Sequence, residues 1–412
     1  MSYKTENTID KREARVKAAI SLKEGDRVPF TPKIGMAYAQ TGDISMYELY
    51  QNYGNMTDGV VKFLERYEPD LYWQAGAYPA NVMEVLETSY IKWPGAFGGL
   101  PRDKGHQILD GEYMTQDEYD EFLRNPSEFM MQKIFPRKNK KLSGLAKISF
   151  SNVVEFGMFA SLAPFSDPEV KDTLYTLMKA GDEVIKWLGA GAQLSQKVLE
   201  MQTPLGVIVG QNTPYDMIAD NMRGYLNLPM DIFEVPDKVL ASIDVMTHFA
   251  LQNVRGIKQM GFEYVFIPLH GGTDDFMSNE NYKKFYWPSL QTLMEEIIKL
   301  GMTPYVFCEG KYNTRLEIIR DITPGKAVYM FEQVDMAQAK KVLGDTVCIS
   351  GNLPAASLVY GTKEEVIEET KRLIDVCAPG GGFLMDCSIV LDHFKEENMD
   401  AWRQTTLDFG KY

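Results

Sequence analysis

Residues 303–350 read TPYVFCEGKYNTRLEIIRDITPGKAVYMFEQVDMAQAKKVLGDTVCIS, and this stretch decides the fold. Three short runs of β-branched and aromatic residues predict strands at Tyr305–Cys308, Ala327–Phe331 and Thr346–Ser350. Sequence compatible with amphipathic helices lies between these runs. Such alternation is typical of successive parallel βα units. The stretch therefore predicts part of a parallel sheet covered by helices.

The same alternation continues on both sides of this stretch. Upstream, Leu205–Val209 and Tyr264–Leu269 read as strands, and downstream Phe383–Asp386 does so. No glycine-rich GxGxxG turn follows any of the six runs, so an open dinucleotide-binding sheet is disfavoured. No linker or repeat divides the chain. We therefore predict one domain over residues 1–412, an α/β fold of the TIM (β/α)8 barrel type with an N-terminal extension.

Two helices between these strands are marked by local signals. Apolar residues recur at helical spacing from Leu290 to Leu300, and Gly301 is expected to end that helix. Thr362 and Glu365 form a capping box at the start of another helix. Both helices are predicted to pack on the sheet.

Composition limits the kind of partner this chain can bind. The net charge of −14 over 412 residues makes nucleic acid an unfavourable ligand. No stretch approaches 18 uncharged apolar residues and the N-terminus has no secretory pattern, so we expect a cytoplasmic protein without membrane contact. The four cysteines all fall between 308 and 387, too few and too clustered for a disulfide framework. Clustered thiols in a reducing compartment indicate metal binding or chemistry.

Reactive side chains follow several of the predicted strands. In a parallel barrel the functional groups lie where strands end and loops begin. Six candidates lie at or near such ends: His270, Cys308, Glu309, Cys348, Asp386 and Cys387. A seventh, Glu280, lies in the first turn of the helix that Ser278 opens.

These residue types suit zinc, which takes N, S and O ligands and keeps one position open in catalytic sites. Cys308 and Cys348 are expected to face each other across the barrel mouth, with Glu280 leaning over it. His270 is either a ligand, a polar pocket residue or a hydrogen-bonded rim residue. Cys377 falls on the apolar stripe of its helix and is expected to be buried.

The segment from about 100 to 141 is expected to be loop-like. It ends in a basic run of Arg137, Lys138, Lys140 and Lys141, which we predict to be solvated. A docking contact for a partner is the alternative.

Several motifs together resemble the uroporphyrinogen decarboxylase superfamily. They occur in the superfamily's order: DRVPFTP (26–32), DNMRGYLNLPMDIFEVPDKV (220–239), GNLP (351–354), GTKEEV (361–366) and the GGG turn (380–382). The resemblance implies a TIM barrel with its site in the central cleft. After DRVPFTP, however, the chain reads KIGMAYAQTGD (33–43) and lacks the two arginines with which true decarboxylases bind substrate carboxylates. Decarboxylation of a tetrapyrrole is therefore disfavoured.

The other large branch of the superfamily comprises zinc-dependent, corrinoid-linked methyltransferases. The spacing of Glu280, Cys308 and Cys348 is similar to a carboxylate–Cys–Cys ligand set in the methyltransferases of O-demethylase systems, and Cys387 lies near a later cysteine of the coenzyme M methyltransferases. The resemblance implies zinc as cofactor and a cobalamin that is carried by a partner corrinoid protein, because this chain has no DxHxxG motif. A homodimer is an open alternative for its assembly.

The implied reaction moves a methyl group from a methoxyaromatic substrate to cob(I)alamin. Zinc is expected to stabilise the charge that develops on the departing oxygen as a Lewis acid, with Glu309 or His270 as a proton donor that shares this task. Tyr305, Asp386 and Cys387 are expected to bind substrate, although aromatic residues such as Tyr305 are equally compatible with the core. The alternatives are a methyl-corrinoid:thiol or pterin methyltransferase, a decarboxylase, and a barrel without catalytic function.

Overall fold

The computed structural model describes residues 7–73, 77–150, 159–206 and 209–412, and its centre is a parallel sheet. The strands, numbered in chain order, are β1 (Ile91–Pro94), β2 (Gly99–Leu100), β3 (Gln107–Ile108), β4 (Val209–Gly210), β5 (Tyr264–Leu269), β6 (Thr303–Lys311), β7 (Val328–Gln333), β8 (Cys348–Ser350) and β9 (Phe383–Leu384). Strands β4 to β9 are hydrogen-bonded in sequence order and every pair is parallel. Strands β1 to β3 form a small separate sheet.

Two extended segments, 28–31 and 70–73, close the parallel sheet into a ring. The first lies beside β9, because Thr31 N donates to Met385 O at 2.9 Å and Met385 N donates to Pro29 O at 2.9 Å. The second joins the first through Asp70 N to Phe30 O at 2.8 Å. It joins the chain before β4 through Tyr72 N to Pro204 O and Gly206 N to Tyr72 O, each 3.0 Å. Eight parallel segments thus surround one axis, which confirms the predicted (β/α)8 barrel.

Helices surround the ring, and further helices lie in the described part of the long connection between 73 and 204, which also holds the small sheet β1–β3. The α-helices are Ile9–Ile20, Ala37–Gly42, Met46–Gln51, Met56–Tyr67, Ala80–Leu86, Tyr119–Arg124, Pro126–Phe129, Phe135–Lys138, Pro168–Glu200, Pro214–Ile218, Leu228–Glu234, Pro236–Gln259, Asn279–Asn281, Trp287–Lys299, Leu316–Ile319, Met336–Leu343, Ala355–Val359, Lys363–Cys377 and Glu396–Phe409. Among them, none is long and apolar enough to cross a membrane.

The barrel interior is filled by side chains from nearly every strand. Alternate residues point inward, and this inner cluster includes Tyr264, Tyr305, Phe307, Met330 and Leu384. Apolar residues of the helix Ile9–Ile20 join the same cluster, so this helix closes one end of the barrel. The barrel is therefore a packed core with its open end at the carboxyl ends of the strands.

The local signals in the sequence are confirmed. The helix Trp287–Lys299 buries Leu290, Leu293 and Ile297, and Gly301 follows it with a left-handed φ of 73°. Thr362 Oγ1 accepts from Glu365 N at 3.2 Å, while the Glu365 carboxylate accepts from Thr362 N at 2.8 Å. Both hydrogen bonds of the capping box are thus present.

The predicted strands are confirmed to within a few residues, and β5 coincides with its prediction. Strand β6 is longer than expected, while β9 is shorter. The predicted strand Leu205–Val209 is present in part. Leu205 forms an isolated bridge to Tyr72, and Val209–Gly210 is strand β4. Residues 207 and 208 of that prediction lie outside the described residues.

The prediction of a loop over 100–141 is wrong for its second half, whereas the basic run is exposed as predicted at Arg137, Lys140 and Lys141 but not at Lys138. Short helices occupy Tyr119–Arg124 and Phe135–Lys138, with a π-helical turn at Met130–Ile134. Lys138 is only 6% exposed. Its Nζ donates to Asn221 Oδ1 at 2.9 Å and lies 4.0 Å from the centre of the Tyr90 ring. The aromatic face compensates for the lost hydration of the ammonium group.

Candidate functional site

His270 and Glu309 lie side by side at the open end of the barrel. Along β6 the inward-facing residues are Tyr305 and Phe307, so the alternation places Glu309 on the same inner face. On β5, Tyr264 and Phe266 belong to the inner cluster, and His270 continues that series just past the strand end. The structure thus brings together two of the residues that the sequence analysis singled out, while their catalytic role stays a prediction.

The imidazole of His270 lies between two carboxylates. Its Nδ1 is 3.2 Å from Asp220 Oδ2, and its Nε2 is 3.7 Å from Glu309 Oε2. Burial lowers the pKa of His270, but the hydrogen bond to Asp220 and the charges of Asp216, Asp220 and Glu309 outweigh burial and raise it to about 9. The ring therefore carries two protons at neutral pH. The 3.7 Å separation from Glu309 leaves the Nε2 proton free for a ligand.

Asp220 is held in place by groups other than the histidine. It lies in the π-helical turn Ala219–Arg223, which continues the helix Pro214–Ile218. Asn212 Nδ2 donates to its Oδ2 at 2.7 Å, and the Tyr225 hydroxyl donates to its Oδ1. These bonds fix the carboxylate, and the carboxylate fixes the orientation of the His270 ring.

A second carboxylate, Asp216, ties the same helix to the end of β5. Its side chain accepts hydrogen bonds from the backbone N–H groups of His270 and Gly271, at 3.1 and 2.9 Å, and from the Tyr286 hydroxyl at 2.5 Å. Burial raises the pKa of Asp216, while the positive charge of His270 opposes that shift. Because the group is buried, it positions the His270 backbone and has no access to a ligand.

Glu309 and Glu332 form the opposite rim. Burial raises the pKa of Glu309, the His270 charge opposes this, and the Glu332 charge adds to it. Glu332 Oε2 accepts from Gly310 N at 2.6 Å, which anchors the turn that carries Glu309. About half of the Glu309 side chain remains exposed, compared with about a third of His270 (51% and 33%). Both side chains can therefore contact a ligand in the cleft.

Aromatic side chains border this acidic cleft. The Tyr225 ring lies 6.4 Å from the His270 ring and 6.2 Å from that of Phe276, which is half exposed. Burial raises the pKa of Tyr78, and the negative charge of nearby Asp220 adds to that rise. An apolar, flat ligand next to His270 would thus meet aromatic faces.

A buried ion pair lies in the barrel interior. Lys33 Nζ donates to Asp386 Oδ2 at 2.6 Å and to Cys387 O at 2.7 Å, and Lys33 N donates to Asp386 Oδ1 at 2.9 Å. Both side chains are almost completely buried. Lys33 is the first residue after the DRVPFTP motif. Because the Lys33 ammonium and the Asp386 carboxylate bond to each other, this pair ties the first barrel segment to the last.

The predicted arrangement of Cys308 and Cys348 across the mouth is wrong. Cys308 belongs to the outer core between strands and helices, whereas Cys348 belongs to the inner cluster. In the sheet, Cys348 lies beside Val328 and Val328 beside Tyr305, so Cys308 is three residues further along the strand direction. The two thiols are thus on opposite faces of the sheet, about 10 Å apart along it. The sequence pattern indicated where the strands end but not which face of the sheet each cysteine occupies.

The other predicted ligands and substrate contacts are also dispersed. Glu280 is exposed on the short helix Asn279–Asn281, which Ser278 caps as expected. Tyr305 is buried against Tyr264, with ring centres 5.4 Å apart, below the mouth. Cys387 is buried, and its Sγ lies 3.1 Å from the backbone oxygen of Ile389. Cys377 is buried in its helix as predicted.

The described residues do not fit a zinc site. Within the ranges that the structure describes, no group of three His, Cys, Asp or Glu side chains could hold a metal ion. The two cysteines on opposite faces of the sheet cannot ligate one ion, and the exposed Glu280 lies on a separate short helix.

Four residues of this region were missed by the sequence reasoning: Lys33, Asp216, Asp220 and Glu332. Asp220 opens the motif 220–239 that carries part of the resemblance, so its position was visible but its role was not. In the same motif, Arg223 Nε donates to Asp231 Oδ2 at 2.5 Å. That buried pair holds the turn in which Asp220 lies.

A family model described as uroporphyrinogen decarboxylase (URO-D) matches residues 163–406 of this chain. The chain belongs to the uroporphyrinogen decarboxylase family. The matched region carries His270, Glu309 and both aspartates beside the histidine. The match also includes the motifs that begin at residues 220, 351, 361 and 380, whereas DRVPFTP (26–32) lies before it.

Individual relatives are distant. The uroporphyrinogen decarboxylase of Chlorobium luteolum is 24% identical over 217 residues, which cover 50% of this chain and 56% of that protein. That of Chlorobium phaeobacteroides is 27% identical over 139 residues, covering 31% and 38%. The chain thus spans about half the length, or less, of the curated relatives it matches. A solved structure, a methyltransferase from Methanosarcina mazei, superposes with a TM-score of 0.64 over 98% of this chain and 99% of the other, at 14% identity. This likeness shows the fold.

Proposed function

We propose that this chain is a methyltransferase that takes the methyl group of a methoxyaromatic compound and delivers it to cob(I)alamin carried by a separate corrinoid protein. One observation carries the proposal: His270, with a pKa raised to about 9, lies at the barrel mouth between Asp220 and Glu309. The likeness in fold to a methyltransferase along nearly the whole chain supports it.

His270 supplies the proton that the departing phenolate oxygen needs when an aryl methyl ether is cleaved. The reduced corrinoid supplies the electron pair that forms the new bond to the methyl carbon. The carbon–oxygen bond breaks, and its electron pair stays on the phenolate oxygen. His270 Nε2 then gives its proton to that oxygen, while Asp220 retains the Nδ1 proton. Because a phenol has a pKa of about 10, a donor with a pKa of about 9 is well matched to it.

The surroundings of His270 suit a methoxyaromatic ring. Tyr225 and Phe276 offer aromatic faces beside the proton donor. Glu309 and Glu332 place negative charge on the rim, which disfavours a substrate with many carboxylates. These charges, together with the missing arginines after DRVPFTP, weigh against decarboxylation of a tetrapyrrole. An imidazole that carries two protons donates a proton, as a leaving phenolate requires, whereas methyl transfer to a thiol requires a group that removes one.

The proposal is tested with free cob(I)alamin as acceptor and a series of methoxybenzenes whose phenol products differ in acidity. We expect His270→Gln to lower kcat about 10²–10⁴-fold with methoxybenzene. The loss should shrink with 4-nitromethoxybenzene, since its phenolate leaves without a proton. Glu280→Gln is the matched control, because its exposed carboxylate lies outside the cleft.

Two results would overturn this role. Either His270→Gln retains the wild-type rate, or its loss is the same for every leaving group. Failure of the wild-type protein to demethylate any of the series, with free cob(I)alamin and with a corrinoid carrier protein, would overturn the proposed activity itself.

A further inference from the structure

His106 lies at the barrel mouth, on the far side from His270. Its imidazole contacts the Tyr78 ring, with ring centres 4.6 Å apart, and Asp392 is near enough for its negative charge to favour the protonated imidazole. Tyr78 follows the second of the eight barrel segments, 70–73, and Asp392 follows the eighth, β9. His270 follows the fourth segment, β5. In a closed ring of eight segments, His106 and His270 are therefore on different sides of the mouth.

Tyr78 connects the two sides of the mouth. Burial and the charge of Asp220 raise the pKa of its hydroxyl, and Asp220 is the carboxylate 3.2 Å from Nδ1 of His270. The Tyr78 side chain is partly exposed, as is that of His106. His106, Tyr78, Asp220 and His270 thus border the same cleft.

The Tyr50 hydroxyl determines which nitrogen of His106 carries the proton. This hydroxyl accepts a hydrogen bond from the His106 backbone N–H at 3.1 Å, and it lies 2.5 Å from Nδ1 of the ring. Tyr50 is completely buried, and among the described residues its hydroxyl has no other hydrogen-bond partner. The hydroxyl proton must therefore go to Nδ1, which leaves the ring proton of the neutral imidazole on Nε2.

The His106 ring is neutral at pH 7, and its Nε2–H group is available to a ligand. Burial lowers the pKa of His106 below its ordinary value of 6.5, and the charge of Asp392 opposes this only in part. Nε2 makes no hydrogen bond within the described ranges of the chain, and the side chain is only partly buried. A neutral N–H donor in this position can bind a carbonyl, ether or hydroxyl oxygen.

The charges around the cleft determine which kind of acceptor suits His106. Asp392 is exposed beside His106, and Asp220 lies beside His270. Lys138, a cation near Asp220, is buried and donates its ammonium proton to Asn221. The two aspartates repel a carboxylate on a ligand, whereas they do not repel an uncharged oxygen. An uncharged acceptor is therefore the better partner for the Nε2–H group.

We propose that His106 is a substrate-binding residue whose Nε2–H donates a hydrogen bond to an uncharged oxygen on the methoxyaromatic ring, on the side away from the reacting methoxy group. The preferred substrates carry a carbonyl, ether or hydroxyl oxygen para to that group. This inference rests on the proposed function, because the proposed reaction places the methoxy oxygen at His270. Tyr50 is a positioning residue, since it acts through the tautomer of His106.

Binding of matched ligands tests the hydrogen bond without any methyl transfer. 4-Methoxyacetophenone carries the acceptor oxygen, and 4-isopropylmethoxybenzene has the same shape without it. In calorimetric titrations, His106→Phe should weaken binding of the first about three- to tenfold and leave binding of the second unchanged. His248→Phe makes the same change at an exposed histidine of the helix Pro236–Gln259 and should leave both affinities unchanged. 4-Methoxybenzoate should bind the wild type more weakly than 4-methoxyacetophenone does.

The outcomes separate this role of His106 from the proposed activity. An equal loss for both ligands, or no loss for either, would overturn the role of His106, and methyl transfer from methoxybenzene remains a separate measurement. Tighter binding of 4-methoxybenzoate would overturn the preference for an uncharged oxygen. If the wild type binds none of the three ligands, the proposed substrate class and this inference are both wrong.

NMR of ¹⁵N-histidine-labelled protein tests the tautomer directly. The signals that disappear in His106→Phe, or in His106→Gln if the first variant fails to fold by circular dichroism, identify the residue. At pH 7 the wild type should show a proton on Nε2 and none on Nδ1, and 4-methoxyacetophenone should shift the Nε2 signal. Tyr50→Phe should give a mixture of tautomers, because nothing then donates to Nδ1. A proton on Nδ1 in the wild type, or an Nε2 signal that the ligand leaves unchanged, would overturn the proposal.

Discussion

Among the groups that raise the pKa of His270, the hydrogen bond to Asp220 contributes most, which makes Asp220→Asn the sharpest perturbation of the cleft. The substitution keeps the size of the side chain but removes the negative charge 3.2 Å from Nδ1. Burial then acts with less opposition, because only Asp216 and Glu309 still favour the charged ring. We expect the pKa of His270 to fall from about 9 to near or below its ordinary value of 6.5.

The same change alters stability in a pH-dependent way. A rise in pKa from 6.5 to about 9 on folding corresponds to about 3 kcal/mol in a fully buried site. Because a third of the side chain is exposed, solvent screening reduces the expected contribution to about 1–2 kcal/mol. The folded-state pKa is the higher one, so this stability is fully present below pH 6.5 and is lost as the pH rises through 9. The difference between wild type and Asp220→Asn should therefore shrink by about 1–2 kcal/mol between pH 6 and pH 10.

Two measurements check this prediction. With only four histidines in the chain, NMR of ¹⁵N-histidine-labelled protein can follow each imidazole, and the signal that disappears in His270→Gln identifies the right one. Urea unfolding at several pH values gives the free energies of unfolding. Glu280→Gln serves as the control for a carboxylate outside the cleft. A His270 pKa that stays near 9 in Asp220→Asn, or that is near 6.5 in the wild type, would refute the reasoning.

The remaining predictions concern the interior. Lys33→Met should lower the free energy of unfolding by about 3–5 kcal/mol in urea titrations, because it leaves the Asp386 carboxylate buried and unpaired; a loss below 1 kcal/mol would show that the pair contributes little. Cys308→Ala and Cys348→Ala should each leave the metal content, measured by plasma mass spectrometry, equal to that of the wild type, since their thiols face opposite sides of the sheet. Loss of zinc from both variants would contradict this placement. Glu280→Gln should change neither metal content nor urea stability measurably, because the side chain is exposed.

Strands and helices with strong local signals could be predicted from the sequence. The strand Tyr264–Leu269, the end of a helix at Gly301 and the capping box at Thr362 depend on residues close together in the chain. The first two barrel segments were not predicted. Residues 28–31 and 70–73 are short and are held by hydrogen bonds to strands that lie far away in sequence, so no local pattern marks them.

The sequence by itself determined that reactive groups follow the strands, because strand ends can be read from short apolar runs. The strand ends also place His270 and Glu309 at the same edge of the sheet, but only the structure shows that their side chains approach to 3.7 Å. The tertiary structure alone decided that Cys308 and Cys348 lie on opposite faces, because a shift of one residue along a strand reverses the direction of a side chain. It also brought Asp220, 50 residues before His270, to the imidazole. Contacts between distant segments follow from how helices pack around the barrel, and that packing sets the charge on the histidine.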